Sequence, residues 1–205
     1  MMKRPQLIHA GEVAPQPWRN GAGRTRELLT WPAGPQPWQL RISLAEISRD
    51  GPFSLYPGIE RWISVIEGAG VRLLLEGREH HLDCDSKPLR FDGALPVSCT
   101  LIDGPGTDLN LMHAGGRAAM IAAHSAVAWI SALPQRGLFT RTAGLWSAGD
   151  AQALHVPAHC LLWLDEAANI SWTFRADSTD AAAPALWLGF MPAAAVYHRD
   201  ARIQT

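Results

Sequence analysis

Two arginines carry the strongest chemical signal in this chain. Arg61 stands at the mouth of a short apolar run, residues 62–66, whose side chains are Trp, Ile, Ser, Val and Ile. Arg41 lies in residues 38–47, where alternation puts Arg41 and Ser43 on one face and Leu40, Ile42 and Leu44 on the other. A guanidinium stays charged and offers a planar fork to a carboxylate or phosphate. Thr25, Ser54 and Asn110 add neutral hydrogen-bonding groups. Together these six residues suit a small anionic ligand held in the mouth of a β-barrel. The plainer alternative for Arg61 is an ion pair with Glu60, Glu67 or Asp108. For the Arg41 and Ser43 face it is solvent, and for Asn110 a turn-stabilising role linked to Asp108.

Other chemistries find less support. His155 and His159 have the spacing of a helical metal site, but Pro157 between them opposes a helix. His80 and His81, adjacent on a strand, point to opposite faces. No nucleophile elbow is present. Gly21-Ala22-Gly23 lacks the third glycine of a phosphate loop and reads as a turn. An enzyme, an isomerase or hydrolase, would have to use Arg61 for electrostatic stabilisation and Glu60 or Tyr56 as acid or base. A third alternative is a protein-interaction module built on exposed tryptophans.

The elements that must position these groups are strands. Residues 51–58 and 68–70 are Gly/Pro turns bracketing the Arg61 strand. Further strands are expected at 7–13, 71–75, from 80, and at 89–91, 97–102 and 109–112. The second half adds 118–124, 127–131, 154–156, 160–164, 170–174 and 186–190. A short helix is expected after Pro192. Strands recurring about every ten residues between turns predict an all-β sandwich or barrel.

Composition bounds the function. The 205 residues carry a formal net charge of -1, so no basic surplus points to nucleic acid or anionic membrane as a partner. Nine tryptophans supply ample core area. Cys84, Cys99 and Cys160 are an odd, dispersed set, as expected of reduced thiols in the cytoplasm. The beginning of the chain shows no signal-peptide pattern, and no apolar run reaches transmembrane length.

Four ordered blocks resemble one family. They are Trp18-Arg19-Asn20-Gly21-Ala22-Gly23-Arg24-Thr25, Arg41-Ile42-Ser43, residues 51–61 from Gly51-Pro52-Phe53 to Glu60-Arg61, and Asp103-Gly104-Pro105 with Asp108-Leu109-Asn110-Leu111-Met112. These are similar to the HutD/Ves family of cupin-like proteins. The resemblance implies a bicupin of the RmlC-like type: two antiparallel β-barrel or jelly-roll units in one chain. The units are expected at 1–117 and 118–205, the second completed by N-terminal strands or not, with 114–117 as linker. Members of that family stand beside bacterial histidine-degradation genes or are stress-associated, with no firmly established activity. A role in sensing a pathway intermediate such as formylglutamate has been proposed for it. Metal-dependent cupins place a carboxylate seven residues before a glycine. Here Gly68 fits the glycine and Arg61 stands at the ligand position, with no histidine at 54–57. The residues after Asp92-Gly93 supply no ligand either. The expectation is therefore a barrel without metal or cofactor, binding a small carboxylate in a regulatory or sensing role. A homodimer is left open.

Overall fold

The structure, a computed structural model, describes residues 4–18, 21–34, 37–165, 169–178 and 183–193. The first half runs through β1 (Gln6–His9), a 3-10 turn, β2 (Gln16–Pro17), β3 (Gly23–Trp31), β4 (Leu40–Ile47) and β5 (Gly51–Pro52). It continues with β6 (Glu60–Glu67), β7 (Val71–Leu75), β8 (Arg78–Leu82), β9 (Leu89–Asp92), β10 (Val97–Leu101) and β11 (Gly106–His113). The second half holds β12 (Arg117–Ala123), β13 (Gln135–Thr140), β14 (Gly144–Ala148), β15 (Leu154–Val156), β16 (Cys160–Leu164), β17 (Trp172–Ala176) and β18 (Ala185–Met191). Among the described residues every strand pair is antiparallel.

Four sheets stack in sequence. A four-stranded sheet, β5-β10-β7-β8, covers one face of a six-stranded sheet, β2-β3-β4-β11-β6-β9. Ile63, Val65, Leu73, Leu75, Phe91 and Val97 fill the space between them. The other face of the six-stranded sheet meets a five-stranded sheet, β1-β16-β13-β18-β12, through Leu40, Ile42, Leu109 and Leu111 against Phe139, Leu161, Leu186 and Phe190. Beyond it lies the sheet β15-β14-β17, packed through Trp146, Trp172, Phe174, Leu138 and Trp187. The result is two sandwiches back to back, with β1 at the edge of the second sandwich's sheet, paired with β16.

Period-two patterning explains this layering. In β4 the residues Leu40, Ile42 and Leu44 face the second sandwich, so Arg41, Ser43 and Ala45 face the interior of the first. The turn from β6 to β7 needs glycine twice. Gly68 and Gly70 have φ of 94° and 118°, and a Cβ at Gly70 would lie 2.3 Å from the Leu82 carbonyl oxygen. Arg141 joins the sandwiches: it donates from Nη1 to the carbonyls of Cys84 and Ala183, and from Nη2 to Ser64 Oγ (3.0 Å) and the Val65 carbonyl (2.8 Å).

Several elements depart from the sequence expectation. The strand expected at 7–13 stops at His9, where the chain turns. Residues 127–131 form no strand; they contribute one bridge, Trp129 to Trp172. Strands β3, β13 and β14 were not foreseen. In β13 the glycine misleads: Gly137 marks a close approach, since a Cβ there would lie 2.6 Å from the Trp163 ring. The helix expected after Pro192 falls on 194–205, outside the described residues.

Candidate functional site

The first sandwich opens at one end into a cavity of about 520 Å³, a size that suits a small-molecule site. All six residues singled out from sequence, Arg61, Arg41, Ser43, Ser54, Asn110 and Thr25, line it. Strand register explains why they meet. Met112 on β11 pairs with Arg41 on β4 and with Arg61 on β6. The two arginines therefore sit in one row, a strand on either side of Met112, with Cα atoms about 10 Å apart. Two residues along, Asn110 pairs with Ser43. Thr25 on β3 lies opposite Ala45.

Arg61 is only 7% exposed. It donates from Nη2 to Asn110 Oδ1 (2.8 Å) and from Nη1, more loosely, to the Ser54 carbonyl (3.5 Å). The rings of Phe53, Tyr56 and Phe91 pack around its guanidinium at 5.1, 5.7 and 5.1 Å, which favours a cation. Its Nε has no acceptor. Burial draws its pKa down, and the Asp108 carboxyl offsets part of that. Nearly all of the charge remains at neutral pH.

Behind Arg61 runs a short polar chain. Asn110 donates from Nδ2 to Asp108 Oδ1 at 2.7 Å. Asp108 is 1% exposed, and its Oδ2 has no donor. Burial pushes this carboxyl up to about 7, despite the opposing pull of Arg61 and the Asn110 amide. Asn110 is thus a mid-strand residue of β11 linking a cation to an acid, and the turn role considered for it does not hold.

The remaining groups divide by what they already bind. Arg41 donates from Nε to Glu27 Oε2 (2.8 Å) and touches Met112 Sδ. Thr25 Oγ1 accepts from the Trp18 indole at 2.7 Å, which leaves its own proton for another acceptor. Ser54 sits exposed at the rim, giving its backbone oxygen to Arg61. Glu60, considered above as an acid or base, points away from the cavity. Alternation turns it to the opposite face, where it meets Arg90 and His113 Nε2. Tyr56 does line the cavity.

Sequence reasoning missed Asp108 as a cavity residue, along with Trp18, Phe53 and Met112. The alternation that placed Arg41 and Ser43 extends to β11 and puts Asp108, Asn110 and Met112 on one face. Among the described residues no cluster of three or more His, Cys, Asp or Glu side chains forms a metal-binding arrangement. His155 pairs with Asp177, and His159 lies 3.4 Å from Glu67. No helix among the described residues is long and apolar enough to cross a membrane.

Comparison with known proteins adds context to this geometry. A family model described as HutD matches residues 10–183. The chain is 35% identical over 117 residues to a protein of Pseudomonas putida described as an uncharacterised 21.2 kDa protein in the hutC 3' region. It is 41% identical over 96 residues to protein Ves of Citrobacter koseri. These alignments span 57% and 46% of this chain, and only 62% and 50% of those relatives' lengths. Among solved structures, HutD from Pseudomonas fluorescens SBW25 superposes with a TM-score of 0.77 at 26% identity, over 93% of this chain and all of that one. A cupin 2 conserved barrel protein from Leptotrichia buccalis matches at a TM-score of 0.55 and 11% identity, over 93% and 98% of the two chains, which identifies the fold as cupin-like.

Proposed function

The chain belongs to the HutD family, and from that premise we propose that the first sandwich binds a small carboxylate and that occupancy of the cavity is the regulatory signal. The observation that carries this reading is Arg61: a buried guanidinium on the cavity wall, held by a neutral amide, with its Nε–H lacking an acceptor. A buried cation without an anion is costly, and a ligand carboxylate would supply the missing charge. Arg41, a strand's width beyond Met112, would take a second acidic group on the same molecule. The aromatic ring set around Arg61 excludes water and strengthens the contact.

The similarity to a protein of a hutC region motivates the biological setting: a cytoplasmic sensor of a histidine-degradation intermediate, with formylglutamate as first candidate, or of a stress metabolite. No metal is required, since a guanidinium stands where a cupin metal ligand would. Calorimetric titration with formylglutamate, glutamate, succinate and formate tests this reading. One of them should bind at one equivalent per chain and lose that binding in Arg61→Ala. Equal affinity in wild type and Arg61→Ala would remove the proposal. Elemental analysis of protein purified without chelators should find less than one transition metal per ten chains.

One observation favours a second reading. Asp108 is a buried carboxyl on the cavity wall titrating near neutrality, a property suited to general acid–base work. In that reading the enzyme alternative survives with Asp108 in place of Glu60. Turnover of the bound carboxylate, abolished by Asp108→Asn with binding intact, selects it.

A further inference from the structure

The second sandwich also buries an arginine, and nothing above uses it. Arg136 on β13 is fully buried, with 0% exposure. Its guanidinium lies over the Trp172 ring at 4.4 Å and beneath the Trp129 ring at 5.2 Å. Trp187 stacks on Trp129, and Trp146 meets Trp172 edge to face. Nε, Nη1 and Nη2 of Arg136 all lack acceptors, and so do the buried indole nitrogens of Trp146 and Trp172. Burial alone draws the Arg136 pKa down, to about 10, which leaves it charged at neutral pH. Its neighbours across the sheet are Leu164 and Gly189, neither of which supplies an acceptor.

We propose that Arg136 and the tryptophans around it form a second anion site, independent of the first, that takes a small monovalent carboxylate. The argument is one of donors without acceptors. A guanidinium carries five N–H groups, and ring faces satisfy its charge in part but accept few of its hydrogen bonds. Two indole N–H groups in the same cluster need acceptors as well. An ionised carboxylate is acceptor-only and planar, so it matches the guanidinium fork. A full positive charge with no counter-charge among the described side chains selects an anion over a neutral guest. Access is over Trp129. That residue is half-buried on an irregular segment, between Val127 at 55% exposure and Ile130 at 65%. Its backbone is tied to Trp172 by two hydrogen bonds of 2.8 Å, so entry of a guest would move the indole off Trp187 and Arg136 without unpairing its backbone. Enclosure limits the guest to a few heavy atoms, such as formate or acetate.

The test uses the full chain with the first cavity disabled, Arg41→Ala/Arg61→Ala, titrated with sodium formate at constant ionic strength. Calorimetry should show saturable uptake of one equivalent, and tryptophan emission should shift in parallel. Adding Arg136→Met should abolish both signals. Adding Trp129→Ala instead should weaken uptake at least tenfold, and this variant decides the matter if Arg136→Met does not fold. The proposal is overturned if the disabled chain takes up no formate. It is equally overturned if uptake persists unchanged in the folded added variants. Neither outcome touches the reading of the first cavity, which rests on wild type against Arg61→Ala.

Discussion

Each sandwich buries one arginine among aromatic rings, and the two differ in what else is present. Around Arg61 the chain provides an amide acceptor, a carboxyl behind it, and an opening of about 520 Å³. Around Arg136 it provides four tryptophans and no acceptor. The first arrangement leaves a charge partly neutralised and reachable. The second leaves it enclosed. The same side chain thus serves two designs, and the difference lies in the neighbouring strands: β11 brings Asp108 and Asn110 into the first interior, whereas β16 and β18 bring Leu164 and Gly189 beside Arg136.

The contrast is broken most severely at Trp172. This ring is fully buried and touches Trp129, Trp146, Trp187 and Arg136. Trp172→Ala should lower stability by about 3–5 kcal/mol, read from urea unfolding. Carboxylate binding by the first cavity should survive at temperatures where the variant stays folded. Loss of binding in a folded Trp172→Ala chain would show that the two interiors are not separate.

Next in size is Arg61. Arg61→Ala should weaken the carboxylate by about 2–3 kcal/mol, the scale of a charge-assisted hydrogen bond in a desolvated site. Arg61→Lys should recover only part, because a point charge lacks the fork. Full recovery by lysine in calorimetry would reduce Arg61 to a source of charge.

A smaller effect distinguishes the interiors by pH. Asp108 has its pKa raised from 3.8 to about 7 in the folded chain, so between those values the folded state holds a proton that the unfolded state has released. Its contribution is therefore most favourable below about pH 4 and is lost as pH rises towards 7. Asp108→Asn should flatten that slope in urea midpoints measured from pH 4 to 8. Anion binding in wild type should likewise weaken as Asp108 ionises beside the ligand. An unchanged slope in Asp108→Asn would put the titration elsewhere.

The smallest expected effect is at the rim. Glu27 is 39% exposed and holds Arg41, so Glu27→Gln should change stability by less than about 1 kcal/mol. It should tighten a dicarboxylate slightly by freeing Arg41, by up to threefold in calorimetry. Weaker binding would mean that Glu27 positions Arg41 for the ligand.

The first interior was far more legible than the second. Residues 38–44 alternate apolar and polar without interruption, so Arg41 and Ser43 share the face opposite Leu40 and Ile42 by strand geometry alone. Arg61 stood out as a charge joined to an apolar run. Asp108 was obscured because Asp103-Gly104-Pro105 nearby reads as a turn, and its burial depends on β6 and β4 flanking β11, a long-range fact. Glu60 was assigned to the chemistry by adjacency to Arg61, where the pleat sends adjacent residues to opposite faces. In the second half, Gln135-Arg136-Gly137 has no β-branched or aromatic residue and gives no local sign of a central strand. The close approach of the Trp163 ring and the Leu162 carbonyl accounts for its glycine. The tryptophans were counted as core or surface, and their convergence on one cation lies in the tertiary pairing.

The pairing of β1 with β16 has a consequence for how this protein comes into being. Gln6 lies opposite Trp163, so β1 is synthesised well before the strand it pairs with. At ordinary elongation rates the delay is on the order of ten seconds. Through that interval β1 has no strand partner, while the strands from β3 to β11 can already assemble the first sandwich and its cavity. The five-stranded sheet must then take β1 back across the completed half. Completion of the second sandwich is thereby a late, non-local event, of the kind that sets a slow rate in β-rich chains.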